Sequence, residues 1–300
     1  MEAVALCVPF ERRDAAKAAG ARWNAHGRVW TCAPELLASN AYPQLRPFVP
    51  RMYRPDVTPP YIRLWMVPQS AWGKNLRALL EPEQWDIVRR KAYADAGNRC
   101  RVCGGRGLKW PVEADEGWEY DEVTRLQTLK GVIALCPDCH GIRHWGKTMV
   151  DGGEAAAFER LMRINRWSRT EARAVVDTAF KDWERRSRLE WEIDCSWVTR
   201  VHGMTPSQAG AERAAHNHRD LVETASARSK QGVLRHLFED AVPSRPATPE
   251  PEPSAPSSPV PAPSVMPKGI IRWLTATFRR PSRTTPARDP AASDAKAVDS

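Results

Sequence analysis

Two cysteine pairs, Cys100-x-x-Cys103 and Cys136-x-x-Cys139, with 32 residues between them, constrain this chain more than any other feature. Each pair offers two sulfurs from one tight turn, and four thiolates at this spacing close a tetrahedral zinc site. Such a site contributes on the order of 10 kcal/mol to folding, so the finger it staples is expected to unfold without its metal. His140 follows the second pair directly, and His144 comes four residues later. Four thiolates saturate zinc, which leaves both histidines and the acids Glu113, Asp115, Glu116 and Asp121 for other work. The plain alternative is a pair of histidines on one helix face and a solvated acidic strand and turn.

The bulk properties set the setting. A net charge of +9 and a pI near 9.4 favour a polyanionic partner such as DNA or RNA. The first residues carry neither a basic start nor an apolar run of signal-peptide length, and no stretch approaches the roughly 20 apolar residues of a membrane span. The chain therefore reads as cytoplasmic, where paired cysteines bind metal more often than they form disulfides. Cys7 and Cys32 lack a near partner and are expected in a core.

Hydrophobic patterning predicts an α+β protein. Residues 1–50 read as a small βαβ-like module, with strands at 4–8 and 29–32 around a helix that Gly20 ends. Residues 51–81 are a connector rich in proline and aromatics. Residues 82–225 hold the finger within a helical domain: a helix from Pro82, strands at 112–120 and 131–135, a helix from near Cys139, then helices at 154–163, 168–190 and 206–222. Trp167, Phe180, Trp183 and Trp191 are expected to pack there. Residues 226–300 are a Pro-rich disordered tail with a basic amphipathic island at 268–280, a candidate contact for a protein or an anionic surface.

The segment Cys100-Arg-Val-Cys103 and the run Leu135-Cys-Pro-Asp-Cys-His-Gly-Ile-Arg-His144 resemble the zinc-knuckle members of the HNH endonuclease, or ββα-metal, superfamily. A wider likeness to an uncharacterised bacterial group of HNH-like proteins covers roughly residues 65–200, through WGKNLRALLEPEQW, VEADEGWEYD and LQTLKGVIALCPDCHGIRHWG. The resemblance implies that Cys100, Cys103, Cys136 and Cys139 hold structural zinc. It also implies that a hairpin delivers a general base and a helix delivers a histidine ligand for Mg²⁺, Mn²⁺ or Ni²⁺. His140 keeps that ligand position. Asp115 stands where the family has its base histidine, and Gly131 stands where it has its asparagine. Asp115, His140 and His144 are the candidate catalytic residues, with metal-dependent phosphodiester cleavage as the implied activity. A finger that binds nucleic acid or protein without cleaving is the alternative, favoured by the two departures.

The N-terminal run Val8-Pro9-Phe10 through Gly20-Ala-Arg22-Trp23-Asn24 to Trp30 and Pro34 resembles an uncharacterised bacterial module marked by its GARW sequence. Trp23 and Trp30 are expected to cover the apolar face of its helix. Arg12, Lys17 and Arg22 are left outside as candidate phosphate contacts. Arg160, Arg163 and Arg166, continued by Arg169 and Arg173, recur at helical spacing and are candidate phosphate contacts, with an ordinary solvated helix face as the alternative. His216 and His218 are read as exposed polar positions.

Overall fold

The apolar residues at the start form strand β1 (Val4–Ala5) in a computed structural model that describes residues 2–239, with side chains to residue 226. Helix α1 (Arg13–Ala18) follows, buries Ala16 and is closed by Gly20 at φ 97°. Strands β2 (Arg22–Asn24) and β3 (Val29–Cys32) then make a hairpin whose turn is held by Gly27 N–H donating to Asn24 Oδ1 at 2.9 Å. That hairpin reverses the chain, so the sheet order is β1-β3-β2 with both pairings antiparallel, where a βαβ reading expects parallel outer strands. The strand at β2 is the element the sequence hid, because all three of its residues are exposed and it shows no apolar alternation. Trp23 on it is 52% exposed and meets Trp30 edge-on at 5.6 Å, so it does not cover the helix as expected. Helix α2 (Tyr42–Leu45) completes this unit, and Cys7 and Cys32 lie in its buried interior, as expected.

The connector is packed rather than free. Tyr61, Ile62, Leu64 and Met66 are buried, and the fully buried Asn165 reaches them from 104 residues away. Its Oδ1 accepts from Tyr61 N–H at 2.7 Å and Ile62 N–H at 3.1 Å, while its Nδ2 donates to Ile62 C=O at 2.9 Å. A buried amide so satisfied fixes an irregular segment that has no ladder of its own.

Helix α3 (Leu76–Leu79) starts on Asn75, whose side chain caps it. Helix α4 (Pro82–Asp95) starts on a capping box of Glu81 and Gln84 with Pro82 in the first position. Gly97, at φ 57°, ends it where a Cβ would lie 2.3 Å from Val8 C=O, so only glycine lets the N-terminal unit approach. Cys7 Sγ donates to Cys100 C=O at 3.4 Å, and Arg51 and Met52 N–H donate to the carbonyls of Arg101 and Val102 at 2.9 and 3.1 Å. The N-terminal unit thus leans on the first cysteine turn.

The finger itself is a long hairpin, β4 (Glu113–Asp121) and β5 (Leu126–Leu135), with a bulge at Gly117/Trp118. Helix α5 (Pro137–Arg143) follows, two residues earlier than the sequence indicates because Cys136 is the cap and Pro137 the first helical residue. Helices α6 (Trp145–Val150), α7 (Glu154–Asn165) and α8 (Arg169–Ser187) wrap it, with Phe180, Trp183 and Trp191 buried as expected. Strand β6 (Glu192–Asp194) adds in parallel to β5, then come α9 (Ser196–His202) and α10 (Gln208–Glu239). The last helix runs well past the 222 expected from patterning. The basic island at 268–280 lies outside the described residues. Among the described residues no helix is long and apolar enough to cross a membrane.

Candidate metal centre

Hairpin, turn and helix bring the four cysteines together. The first pair sits on the loop after α4, where Gly104 N–H donates to Cys100 C=O at 2.8 Å and closes a tight turn. The second pair sits at the start of α5. Cys103 Sγ is 3.7 Å from Cys136 Sγ and 3.6 Å from Cys139 Sγ. A tetrahedral ion with zinc–sulfur bonds of about 2.3 Å sets its sulfurs roughly 3.8 Å apart, so the cluster fits a metal such as zinc. Crowding splits the thiols: hydrogen bonding with Cys100 first of all draws Cys103 below the usual thiol range and pushes Cys139 above it. Four thiols this close resist common ionisation, which a divalent cation would relieve.

Arg160, on α7, closes the open side of the cluster. Its Nη2 lies 3.4, 3.5 and 3.9 Å from the sulfurs of Cys103, Cys136 and Cys139, and its Nη1 pairs with Asp138 at 2.9 Å. Its guanidinium is therefore engaged by sulfur and by Asp138 rather than free on the phosphate-tracking face the sequence assigned it. That face is also broken. Helix α7 ends at Asn165, Arg166 caps it in the left-handed region at φ 57°, and a Ser168–Glu171 capping box starts a new helix. Arg166 donates to Met52 C=O at 3.5 Å, Arg169 and Arg173 lie over the Phe158 ring, and Arg163 stays exposed. Arg12, Lys17 and Arg22 are exposed on the N-terminal unit.

A second cluster lies one helical turn beyond the cysteines. Asp115 on β4, 1% exposed, projects toward His140 on α5 and His144 at the junction with α6. Its Oδ1 is 3.9 Å from His140 Nε2 and 3.7 Å from His144 Nε2, and one ligand atom from each residue lies within 4.8 Å of the others. Bonds of about 2.0–2.2 Å to one ion would set such atoms roughly 3–3.5 Å apart, so a small inward movement suffices. Helix α5 ends at Arg143, yet His144 N–H still donates to His140 C=O at 2.9 Å, which keeps both rings on one side, 4.5 Å apart. Burial first, and then the neighbouring His140, lower the His144 pKa to about 4, so its imidazole is neutral at pH 7.

The sequence reading named Glu113 only as one of several nearby acids and did not single out Arg143. Glu113 Oε2 accepts from His140 Nδ1 at 2.7 Å in the tautomer that leaves Nε2 free toward Asp115. Arg143 Nε donates to Asp115 Oδ2 at 3.0 Å while its guanidinium lies over the Trp65 ring. Glu113 and Asp115 alternate on β4, and that two-residue spacing was the available signal. Glu116 is likewise no solvated acid: it accepts from Leu76 and Arg77 N–H and from Trp118 Nε1, and burial raises its pKa. Asp121 receives the amides of the hairpin turn, Val123 and Thr124. Gly131, paired with Gly117, offers no side chain to the cluster, and a Cβ there would sit 3.7 Å from the Trp197 indole. His216 pairs with Asp220, and His218 Nδ1 lies 2.9 Å from Trp72 C=O, which makes His218 a packing residue rather than a free one.

A family model for a domain of unknown function, DUF5710, matches residues 4–35, the segment from β1 through β3. The match does not extend to either cluster. No curated protein matches the chain, and no solved structure matches it.

Proposed function

We propose that the chain is a zinc-stapled, metal-dependent phosphodiesterase of nucleic acid, DNA in the first instance, working at Asp115, His140 and His144. The observation that carries this reading is the convergence of those three side chains on a hairpin and helix pinned by four cysteines. His140 Nε2 and Asp115 Oδ1 would hold a divalent cation such as Mg²⁺, Mn²⁺ or Ni²⁺, with Glu113 orienting the His140 ring. That cation, when bound, supplies polarisation of the phosphate and stabilisation of the leaving oxygen. His144, neutral and 3.7 Å from Asp115, positions a water and takes its proton as the water oxygen bonds to phosphorus. The bond from phosphorus to the leaving oxygen breaks in the same displacement, and that oxygen gains a proton from solvent. Exposed Arg12, Lys17, Arg22 and Arg163 supply phosphate contacts away from the centre.

A second reading draws on Arg143. Its ion pair occupies one oxygen of Asp115, as expected of a finger that kept the fold and the binding but not the cutting. Plasmid nicking by zinc-loaded protein with magnesium, manganese or nickel, beside His140→Ala, separates the two. Nicking that disappears in the variant supports the phosphodiesterase. Folded wild type that binds DNA and never nicks it supports the binding module.

A further inference from the structure

Beside the cluster lies a cavity of about 310 Å³, bounded by the hairpin, the connector and α3. That is the small end of the range for ligand pockets, ~300–1,000 Å³, and suits one flat ring system better than an extended chain. Its walls are aromatic: Trp65, Trp72, Trp118 and Tyr120 line it, and the Trp65 and Tyr120 rings stack at 6.0 Å with 29° between planes. His140 and His144 also border it, and Arg143, which pairs with Asp115, rests on the Trp65 ring. The cavity and the Asp115 cluster are therefore one continuous surface.

The polar groups of this wall are unusual. Trp65 Nε1, Tyr120 Oη and Gln127 Oε1 are shielded from solvent and have no hydrogen-bond partner among the described residues, and all three residues line the cavity. Buried polar atoms are nearly always paired, so three around one small space call for a ligand with a polar edge. Gln127 Nε2 donates to Lys74 C=O at 3.3 Å, which leaves its Oε1 as the spare acceptor. Glu116 adds a carboxylate to the same wall, and Arg77 adds a cation. Flat stacking walls, an acceptor pair for an amino group, and spare donors for ring nitrogens or carbonyls are the features that hold a base taken out of its stack.

Building on the phosphodiesterase reading, we infer that this cavity receives one nucleobase bearing an exocyclic amino group, turned out of the strand whose phosphate lies at Asp115, His140 and His144. The aromatic walls would stack the base, and Gln127 with Glu116 would accept from its amino group. The site would then select strands that can release a base: single strands, mismatches and damaged duplexes.

The test uses zinc-loaded full chain in calcium buffer and two short oligomers. One is a chain of abasic phosphates; the other is identical but carries a single central 2-aminopurine. The expected result is at least fivefold tighter binding of the base-bearing oligomer, with its fluorescence quenched on binding. Gln127→Leu, which keeps the side-chain volume, should bring the two affinities together, as should Ala114→Met, which narrows the cavity from the β4 side. Equal affinities with unquenched fluorescence in the wild type, or binding of neither oligomer, would overturn the inference and leave a cavity that holds only water. Nicking is scored separately. Base-selective binding without nicking removes the phosphodiesterase and keeps the pocket, and nicking without base selectivity does the reverse.

Discussion

Arg160 shows how much a single side chain carries here. A guanidinium against three sulfurs offsets the negative charge a four-thiolate zinc site accumulates, and Asp138 holds it in place. Arg160→Met should leave the fold intact and speed zinc transfer to a competing chelator by roughly 10-fold, with Arg160→Lys in between. An unchanged transfer rate would mean the contact is incidental. Glu113 makes the matching case at the other cluster. Glu113→Gln should weaken metal binding at Asp115 and His140 by roughly 10-fold, read by manganese titration, without disturbing the zinc. The cysteines and His140 were legible in the sequence because ligand spacing is a local property. Arg160 was not, since its partners lie 21 to 57 residues away and only the packing of α7 on α5 joins them. Its helical spacing with Arg163 and Arg166 pointed instead to a shared face, which the left-handed Arg166 interrupts.

Among the elements, the hairpin and α5 were readable, although β5 begins at Leu126, five residues before the strand expected at 131–135. The strongly patterned helices α7 and α8 were readable for the same reason, since a buried stripe recurs along each. Strands β2 and β6, three residues each, were not, because so short an edge has no periodicity to show. The hairpin tip is tied to α8 by Glu122, which accepts from Arg185 Nε and Nη2 at 2.8 and 2.7 Å and from Arg186 Nε at 3.0 Å. Hydrogen bonding from Arg185, ahead of the other influences, lowers the Glu122 pKa to about 2 from 4.5. A carboxylate depressed on folding stabilises the protein above its unfolded pKa, and that contribution fades as pH falls from 4.5 toward 2. Glu122→Gln should cost about 0.5–1 kcal/mol at pH 7, a modest loss because the ion pairs lie at the partly solvated surface. Wild type and variant should converge in urea denaturation near pH 2; a gap that persists there would contradict the assignment. Gly97→Ala tests a different junction. A Cβ 2.3 Å from Val8 C=O, at a φ of 57°, should lower stability by more than about 1 kcal/mol and loosen the N-terminal unit from the first cysteine turn.

At the scale of the molecule, the cysteine cluster sits inside the largest core, beside Trp145, Phe158, Leu161 and Val176. Metal removal should therefore melt the helices around the finger as well as the finger itself, seen as lost near-ultraviolet circular dichroism from the buried tryptophans. A chelated protein with an unchanged spectrum would show that packing alone holds the finger. The net charge of +9 pointed to a polyanion, but it could not indicate a cavity, because the aromatic walls come from the connector, from α4 and from β4. The proposed function requires two metal centres of different chemistry, a sulfur cluster that would hold the fold and an oxygen–nitrogen cluster that would act on phosphate. Metal content after manganese loading and desalting, read by plasma mass spectrometry, is the decisive measurement. Wild type should carry one zinc and one manganese per chain, and the folded His140→Ala variant one zinc alone. Wild type that retains zinc and no manganese, or a variant that keeps both, would contradict it.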